Sequence, residues 1–366
     1  MTLVIDTCEN KMKKICFFTG NLNLSGGTER VCSTIANALQ EQGYEVSVIN
    51  LHEGEKPFFP LHKEINNKQL FSKRVSFSKN YIQVVKKLRS FCKTNSIDTL
   101  VIVESMLALF SVPALAGLGI KHICWEHFNF NVDLGQKKRR FARQLAARFC
   151  DWVVVLTEQD CAYWLQHSRH KGQIVAIPNP LPFPIQDAHT PSQESRIVLS
   201  VGRLTPQKGF DLLLAAWKEV APFAPLWRLR IIGDGEDRAK LQKLCKEYAI
   251  EDTVDWIGRT ADVATHYREA AIYCLSSRFE GFPMVLLEAI AFSLPCVAFD
   301  CETGPAELLA DTGALLVEPE NTNKLAQALL YLIQNPQART IISNASKTKA
   351  AQYSANLIIK KWKTIL

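Results

Sequence analysis

Short apolar runs alternate with amphipathic stretches along most of this chain. In residues 13–51, KKICFFTGNLNLSGGTERVCSTIANALQEQGYEVSVINL, two apolar runs flank a stretch in which Val31, Ile35 and Leu39 recur at helical spacing. Gly43 is typical of the residue at which a helix ends. This segment therefore predicts a strand, a loop, a helix and a second strand.

The same order of elements returns in RIVLSVGRLTPQKGFDLLLAAWKEV (residues 196–220), which is followed by the strand-like run LRIIGDG. The other apolar runs that fit strands are TLVIVES, HICWEH, WVVVLTE, QIVAIPN, VDWIGR, IYCLSS and PCVAFD. Strands that alternate with helices form parallel sheets with helices on both faces. We therefore expect an α/β protein with two doubly wound, Rossmann-like domains.

The segment PLPFPIQDAHTPSQES contains four prolines and fits neither a helix nor a strand. It divides the chain into an N-terminal domain at 12–180, a linker at 181–195, a C-terminal domain at 196–352 and a last helix at 353–366. Ligands of such sheets bind beyond the carboxyl ends of the strands, and pockets favour domain interfaces, so we expect the active site in the cleft between the domains. Residues 1–11 precede a second methionine and are expected to be disordered.

Only the stretch from Leu100 to Ile120 is long enough to suggest a membrane span. Glu104, Pro113 and two glycines interrupt it, which favours a buried strand followed by a buried helix. The composition is that of a globular protein, with 47% hydrophobic and 22% charged residues in 366. Eleven cysteines without a C-x-x-C pair, and a start that does not resemble a secretory signal, indicate a reducing cytoplasmic compartment and no zinc site.

The formal net charge is +7, and the excess of positive charge lies in residues 1–180. It is concentrated in residues 68–93 and in KKRRFARQLAARF (residues 137–149), where Phe141 and Phe149 share an apolar stripe with Leu145. Nucleic acid or an anionic membrane surface would suit such patches, although a charge run is more commonly a solvated helix face. The basic segments lack the aromatic or zinc modules of nucleic-acid binders, so we expect no nucleic acid.

Several catalytic motifs are absent from the sequence: G-x-G-x-x-G, G-x-x-x-x-G-K-[ST], H-E-x-x-H and G-x-S-x-G. The densest cluster of candidate residues is SSRFEGFPMVLLEA (residues 276–289). If a helix begins near Pro283, Glu280 lies in the loop before it and Glu288 in its second turn. The free N–H groups around Phe282 to Val285 would then form an anion site. The alternative is a helix-terminal charge at Glu280 and a surface residue at Glu288, but the apolar neighbours of Glu288 favour burial with a partner.

A second cluster is SVGRLTPQKGF (residues 200–210). Gly202 would let the chain turn off a strand, and the guanidinium of Arg203 and the ammonium of Lys208 would suit a diphosphate. Taken alone, the two cations are as well explained as surface charge.

Two further clusters lie in the first half of the chain. NLSGGTER (residues 23–30) carries Gly26 and Gly27 in a loop that permits close approach of a ligand and opens a helix at Thr28. CWEHFNF places His127 beside Glu126 at the carboxyl end of a strand; a lone histidine is more often structural, but this position suits a functional one.

These four clusters, in this order, resemble the GT-B glycosyltransferases of the family 4 type. The family's E-x7-E motif matches Glu280 and Glu288, its G-R-x-x-x-x-K-G loop matches residues 202–209, and its early Gly-Gly loop matches Gly26 and Gly27. The resemblance covers nearly the whole chain and implies two Rossmann-like domains that face each other across a cleft. The last segment resembles the family's last helix, which packs back on the first domain.

The resemblance implies transfer of a sugar from a nucleotide-sugar donor with retention of configuration. Its donor-binding residues by position are Gly26, Gly27, Gly202, Arg203, Lys208, Arg259, Glu280, Phe282, Pro283, Met284, Val285 and Glu288. Arg203 and Lys208 would hold the diphosphate, while Glu280 contacts the sugar and Glu288 the ribose. His127 would contact the sugar near the reacting centre, which makes His127, Glu280, Arg203 and Lys208 the catalytic set.

The two cations offer the leaving diphosphate the charge that a divalent metal would otherwise supply. The sequence has no Asp-x-Asp, so we expect no metal and no cofactor other than the donor substrate, which is expected to be a UDP-linked hexose or N-acetylhexosamine. The leaving phosphate oxygen would take the proton of the acceptor.

The family's N-terminal domain handles the acceptor, so the basic amphipathic segment at 137–149 favours a lipid-linked or polysaccharide acceptor at the cytoplasmic face of an anionic membrane. Such an enzyme would build surface polysaccharide or lipopolysaccharide. The alternatives are a nucleotide-sugar epimerase with the same fold and a non-catalytic nucleotide-sugar-binding protein.

Overall fold

The computed structural model describes residues 12–77, 79–183 and 191–366, which form two compact units. The first unit comprises the chain up to Val155 together with Tyr163–Val175 and Lys361–Leu366. The second unit comprises Leu156–Ala162 and Ala176–Lys360. The expectation of disorder at residues 1–11 and the middle of the predicted linker, residues 184–190, lie outside the described residues.

The first seven strands form one sheet. Their bounds are β1 Lys14–Thr19, β2 Glu45–Asn50, β3 Asn66–Gln69, β4 Thr99–Val103, β5 Lys121–Trp125, β6 Trp152–Val155 and β7 Gln173–Ala176. The order across the sheet is β3-β2-β1-β4-β5-β6-β7, and the pairs from β3 to β6 are parallel. The accompanying helices are α1 Gly27–Glu41, α2 Tyr81–Thr94, α3 Ala108–Leu115, α4 Lys137–Phe149 and α5 Glu158–His167.

The remaining six strands form the sheet of the second unit. Their bounds are β8 Ile197–Val201, β9 Arg228–Ile232, β10 Val254–Gly258, β11 Ile272–Leu275, β12 Cys296–Phe299 and β13 Leu315–Val317. All of the pairs in the order β10-β9-β8-β11-β12-β13 are parallel. The helices that follow are α6 Phe210–Val220, α7 Arg238–Glu247, α8 Val263–Glu269, α9 Met284–Ala291, α10 Pro305–Leu309, α11 Thr322–Gln334, α12 Pro336–Ala351 and α13 Ala355–Ile365.

The predicted α/β architecture with two parallel sheets is therefore confirmed. The stretch from Leu100 to Ile120 forms the buried strand β4 and the buried helix α3, as expected. No helix within the described residues is both long and apolar enough to cross a membrane. Strand β3 was not predicted, because its sequence NNKQ is polar. The strand lies at the edge of the sheet, where its residues need not be apolar because they are not buried on both faces.

Each sheet reverses its strand order at one point, and this position fixes where a ligand can bind. In the first unit the reversal lies between β1 and β4, and in the second between β8 and β11. Connections leave the two central strands there toward opposite faces, which opens a crevice at their carboxyl ends. The loops after β8 and β11 carry the residues at 202–209 and 276–283.

Helix α6 packs an apolar face into the core of the second unit. Leu213, Leu214 and Trp217 are fully buried, and the Trp217 Nε1–H donates to Thr253 Oγ1 at 3.0 Å. The helix runs on directly from the 202–209 loop, so core packing of α6 anchors that loop.

We expect Leu213→Ala to lower the free energy of unfolding of the second unit by about 2–5 kcal/mol, because it leaves a cavity in close-packed surroundings. Leu226→Ala is the matched control, since Leu226 is 78% exposed in the same unit, and its effect should stay within about 0.5 kcal/mol. Urea denaturation followed by tryptophan fluorescence measures both changes. Equal effects of the two substitutions would contradict the core position of α6.

Candidate functional site

Lys208 and Glu280 meet at the crevice of the second unit. The Lys208 Nζ lies 2.6 Å from Glu280 Oε1, and the Ser277 hydroxyl donates to the same oxygen at 2.6 Å. The Glu280 side chain is 6% exposed and that of Lys208 is 19% exposed. A carboxylate this deeply buried needs its charge matched, and Lys208 supplies the matching charge.

Glycine is required at Gly209, which follows Lys208. Its φ is +62°, and a Cβ there would lie 2.0 Å from the carbonyl oxygen of Ser276. The glycine therefore lets the Lys208 loop approach the loop of Glu280 closely.

The expected role of Gly202 as the residue that lets the chain turn is not supported. A Cβ at Gly202 would make only ordinary contacts, at 3.5 Å or more, and its φ is not in the left-handed region. Glycine is required at Gly233 instead. Its φ is +136°, and a Cβ there would lie 1.9 Å from the carbonyl oxygen of Gly202. Gly233 looks like an ordinary turn residue in the sequence, because the approach of β9 to β8 is a property of the sheet.

Arg203 and Arg259 line one open cavity of about 290 Å³, together with Asp234 and Gly235. Both arginines are exposed. They follow β8 and β10, whose carboxyl ends lie at the same edge of the sheet. The structure thus brings together Arg203, predicted to hold the diphosphate, and Arg259, predicted among the donor-binding residues.

The segment that carries Glu288 begins its helix one residue later than predicted. Helix α9 starts at Met284, and Pro283 is its N-cap rather than its first helical residue. The first carbonyl to accept a helical bond is that of Pro283, from the N–H of Leu286 at 2.9 Å. The N–H groups of Met284 and Val285 therefore lie in the first turn, ahead of the first intrahelical bond.

Glu288 lies in the second turn of α9 and is 6% exposed, as its apolar neighbours suggested. Its Oε2 accepts the hydroxyl of Tyr267 at 2.8 Å. Tyr267 is fully buried on α8 and was missed in the sequence, where nothing relates it to a glutamate 21 residues later. The alternative of a surface glutamate at 288 is wrong.

In the first unit, Gly26 and Gly27 open helix α1 after β1. Gly26 is the N-cap and the helix starts at Gly27, one residue before the predicted Thr28. The carbonyl of Gly26 accepts from Arg30 N–H at 3.1 Å, and a Cβ at Gly26 would lie 2.4 Å from the Glu29 carboxylate. The loop thus follows β1, beside the point where the strand order of the first sheet reverses.

His127 follows β5 and packs its ring 4.5 Å from that of Trp125. Its Nε2 is buried and has no hydrogen-bond partner among the described residues. Burial lowers the pKa of His127 to about 3, so the imidazole is neutral at pH 7. A neutral ring nitrogen in this position can accept or donate one hydrogen bond, depending on its tautomer.

Glu126 fixes the chain that carries His127. One carboxylate oxygen accepts the N–H groups of His127 and Phe128 at 3.0 and 3.1 Å, and the other accepts the hydroxyl of Ser105. Arg143 places its Nε 3.5 Å from the same carboxylate and donates to the carbonyls of the 130–132 loop. Glu126 is 1% exposed, so its charge is matched inside the protein.

The basic helix at 137–149 is not simply a solvated surface. Arg139 and Arg143 of α4 are buried, and Arg139 pairs with Glu104 at 2.7 Å. Glu104 has a φ of +94°, a strained value for a residue other than glycine. Burial, together with the charge of Glu126, raises the pKa of Glu104 to about 7 despite the opposing effect of Arg139.

Two parts of the chain match models of known protein families. Residues 184–349 match Glycosyl transferases group 1, and residues 25–182 match Glycosyltransferase Family 4. An uncharacterized glycosyltransferase of Haemophilus influenzae is 40% identical over 97% of this chain and 100% of the relative. The amylovoran biosynthesis glycosyltransferase AmsD of Erwinia amylovora is 31% identical over 97% of this chain and 100% of the relative.

A third relative is the GalNAc-α-(1→4)-GalNAc-α-(1→3)-diNAcBac-PP-undecaprenol α-1,4-N-acetyl-D-galactosaminyltransferase of Campylobacter jejuni. It is 29% identical over 96% of this chain and 97% of the relative. Among solved structures, Anabaena Alr3699/HepE in complex with UDP-glucose has a TM-score of 0.78 at 18% identity, over 96% of this chain and 100% of that one. The parallel sheets and these matches identify the chain as a member of the GT-B glycosyltransferases of the family 4 type.

Neutrality of His127 predicts a pH dependence of stability. The unfolded imidazole takes up a proton near pH 6.5 and the folded one only near pH 3, so the folded state binds fewer protons in between. The contribution of the neutral His127 ring to the free energy of unfolding is therefore complete above pH 6.5, and it is lost as the pH falls toward 3. Between pH 6.5 and 5, the free energy of unfolding of the wild type should fall by about 1.5 kcal/mol more than that of His127→Phe, as measured by urea denaturation. An equal loss in both proteins would show that His127 titrates normally.

Proposed function

We propose that this glycosyltransferase moves a hexose or N-acetylhexosamine from a UDP-sugar to a lipid-linked or glycan acceptor, with retention and without a metal, in surface polysaccharide or lipopolysaccharide synthesis. The observation that carries the proposal is the Lys208–Glu280 pair at 2.6 Å, at the point where the second sheet reverses its order. The AmsD relative acts in amylovoran biosynthesis, and the Campylobacter relative acts on an undecaprenol-linked glycan. The UDP-glucose complex of the structural neighbour supports a UDP-linked donor.

The cations of the second unit suit a leaving diphosphate. As the bond between the sugar C1 and the phosphate oxygen breaks, negative charge grows on the diphosphate, and fixed positive charge lowers the energy of that state. Lys208 is held by its ion pair and Arg203 lines the open cavity, so both can supply that charge. The first-turn N–H groups of Met284 and Val285 add partial positive charge at the start of α9.

Glu280 and Glu288 take binding roles in this proposal. Glu280 uses its remaining acceptor capacity for sugar hydroxyls, while Tyr267 holds the Glu288 carboxylate ready for the two hydroxyls of a ribose. Arg259 lines the cavity with Arg203 and stacks on the nucleobase. His127 is neutral and can share a hydrogen bond with a hydroxyl of the donor sugar.

The transfer needs no nucleophile from the protein. The C1–O bond to the diphosphate breaks, the acceptor oxygen bonds to C1 on the same face, and the acceptor proton passes to the leaving phosphate oxygen. The resulting nucleoside diphosphate is stabilised by Arg203 and Lys208, which is why we propose that no divalent metal is needed.

Release of nucleoside diphosphate from a panel of nucleotide sugars, with and without EDTA, tests the function. We expect turnover of a UDP-sugar that survives EDTA, and a loss of about 100-fold or more in Arg203→Ala, because a fixed transition-state charge is removed. Lys243→Ala, an exposed cation of α7 in the same unit, is the control and should retain wild-type rates.

Loss of activity on chelation would contradict the metal-free mechanism, and near-normal rates in Arg203→Ala would contradict the diphosphate assignment. Conversion of the donor to an epimer in the absence of any acceptor would identify an epimerase instead.

The acceptor proposal depends on the outer face of α4, which we call the α4 surface: Lys137, Lys138, Arg140, Phe141 and Phe149. Phe141 and Phe149 are 63% and 60% exposed, and Lys137, Lys138 and Arg140 are exposed as well. Exposed aromatic residues with adjacent cations are typical of contact with an anionic lipid surface. We therefore propose peripheral binding at the inner face of the plasma membrane.

Replacement of Lys137, Lys138 and Arg140 by Ser should reduce the fraction of protein that sediments with phosphatidylglycerol-containing vesicles. The expected loss in the free energy of membrane binding is about 1 kcal/mol for each cation near the surface. Arg139 is left in place because it pairs with Glu104. The matched control replaces three exposed lysines of α7, Lys240, Lys243 and Lys246, by Ser. Equal partitioning of the two triple variants would contradict docking through the α4 surface.

A further inference from the structure

The two loops that carry Lys208 and Glu280 are bound to each other by three hydrogen bonds between residues 207–208 and 276–279. The N–H of Arg278 donates to the carbonyl of Gln207 at 2.8 Å, and the Gln207 amide donates back to the carbonyl of Phe279 at 3.1 Å. The Ser276 hydroxyl donates to the carbonyl of Lys208 at 3.0 Å. Movement of either loop alone would break all three bonds.

The side chain of Arg278 adds a charged connection between these loops. Its guanidinium donates to both oxygens of Asp211, at 2.9 and 2.7 Å, and to the carbonyl of Pro206 at 2.7 Å. Asp211 lies in the first turn of α6, the helix anchored in the core. Partial burial would raise the pKa of Asp211, but the hydrogen bonds and charge of Arg278 outweigh it and lower the pKa. The pair therefore stays ionised at neutral pH.

We propose that Arg278 and Asp211 are positioning residues that hold the Lys208 ammonium against Glu280 and so set the charge that meets the donor diphosphate. Arg278 lies two residues before Glu280 and Asp211 lies three residues after Lys208, so the bidentate pair joins the loop of Glu280 to the helix that directly follows the loop of Lys208. The planar fork of Arg278 fixes distance and orientation together, which a single ammonium contact would not. The inference rests on the proposed function in one respect, the diphosphate that Lys208 meets.

The second unit contains a pair of the same chemistry that serves as the control. Arg228 Nε lies 2.9 and 3.0 Å from the two oxygens of Asp255, and Arg228 also donates to the carbonyl of Asp252 at 2.7 Å. Arg228 opens β9 and Asp255 is the second residue of β10, so this pair lies at the amino ends of the strands, opposite the candidate site. Breaking it removes a bidentate ion pair without touching either loop.

The first measurement needs no ligand. Competitive acetylation of the full chain with acetic anhydride, read by mass spectrometry, reports how well Lys208 is protected. We expect Asp211→Asn to raise the reactivity of Lys208 about tenfold, the factor that corresponds to a contact worth about 1.4 kcal/mol. Asp255→Asn should leave it at the wild-type value, and Asp211→Glu, which keeps the carboxylate, should restore most of the protection.

The second measurement is release of UDP from the active UDP-sugar. In Asp211→Asn we expect kcat/KM to fall about 100-fold, with kcat carrying most of the loss, because misplaced charge acts on the transition state. Unchanged Lys208 reactivity and unchanged kcat in Asp211→Asn, with a melting temperature lowered as in Asp255→Asn, would overturn the positioning role. If the wild type turns over no nucleotide sugar while Lys208 reactivity still responds, the proposed function fails and the positioning role stands.

Discussion

Burial of opposite charges at the carboxyl ends of parallel strands is the constraint on which the candidate site depends. Lys208 and Glu280 come from loops 72 residues apart in sequence, and the half-buried Lys208 supplies the charge that Glu280 needs in order to be buried. Removing one partner of a buried pair typically costs about 3–5 kcal/mol, because the remaining charge is left without compensation. The loops are thereby held together before any ligand binds. A site arranged in advance loses little energy in ordering itself around a ligand.

The first unit uses the same device beside β4 and β5. Glu126 is paired with Arg143, and Glu104 with Arg139, so the two carboxylates that follow these strands are matched by two guanidiniums from one helix. The helix is therefore two-sided: its inner face stabilises the chain that carries His127, and its outer face presents aromatic residues and cations to solvent. Helix α4 is therefore connected to the backbone of His127 through the ion pair of Arg143 with Glu126.

The parts of the fold that followed from the sequence are those whose signal is local. The central strands are runs of buried apolar residues, and α1 and α6 show apolar residues at helical spacing, so their prediction needed no knowledge of the partner elements. Helix starts were shifted by one residue at Gly27 and Met284, since an N-cap is defined by backbone angles that composition fixes only loosely. The polar edge strand β3 gave no signal at all.

The sequence by itself determined the alternation of strands and helices and the charged residue types in the loops of Lys208 and Glu280. Tertiary structure decided which charges face solvent and which are paired, because that depends on neighbours remote in sequence. Arg139 and Arg143 belong to a basic run yet are buried, since Glu104 and Glu126 lie beside them in the fold. Tyr267 became the partner of Glu288 in the same way, because hydrogen bonds depend on distances in space that a linear order of residues does not contain.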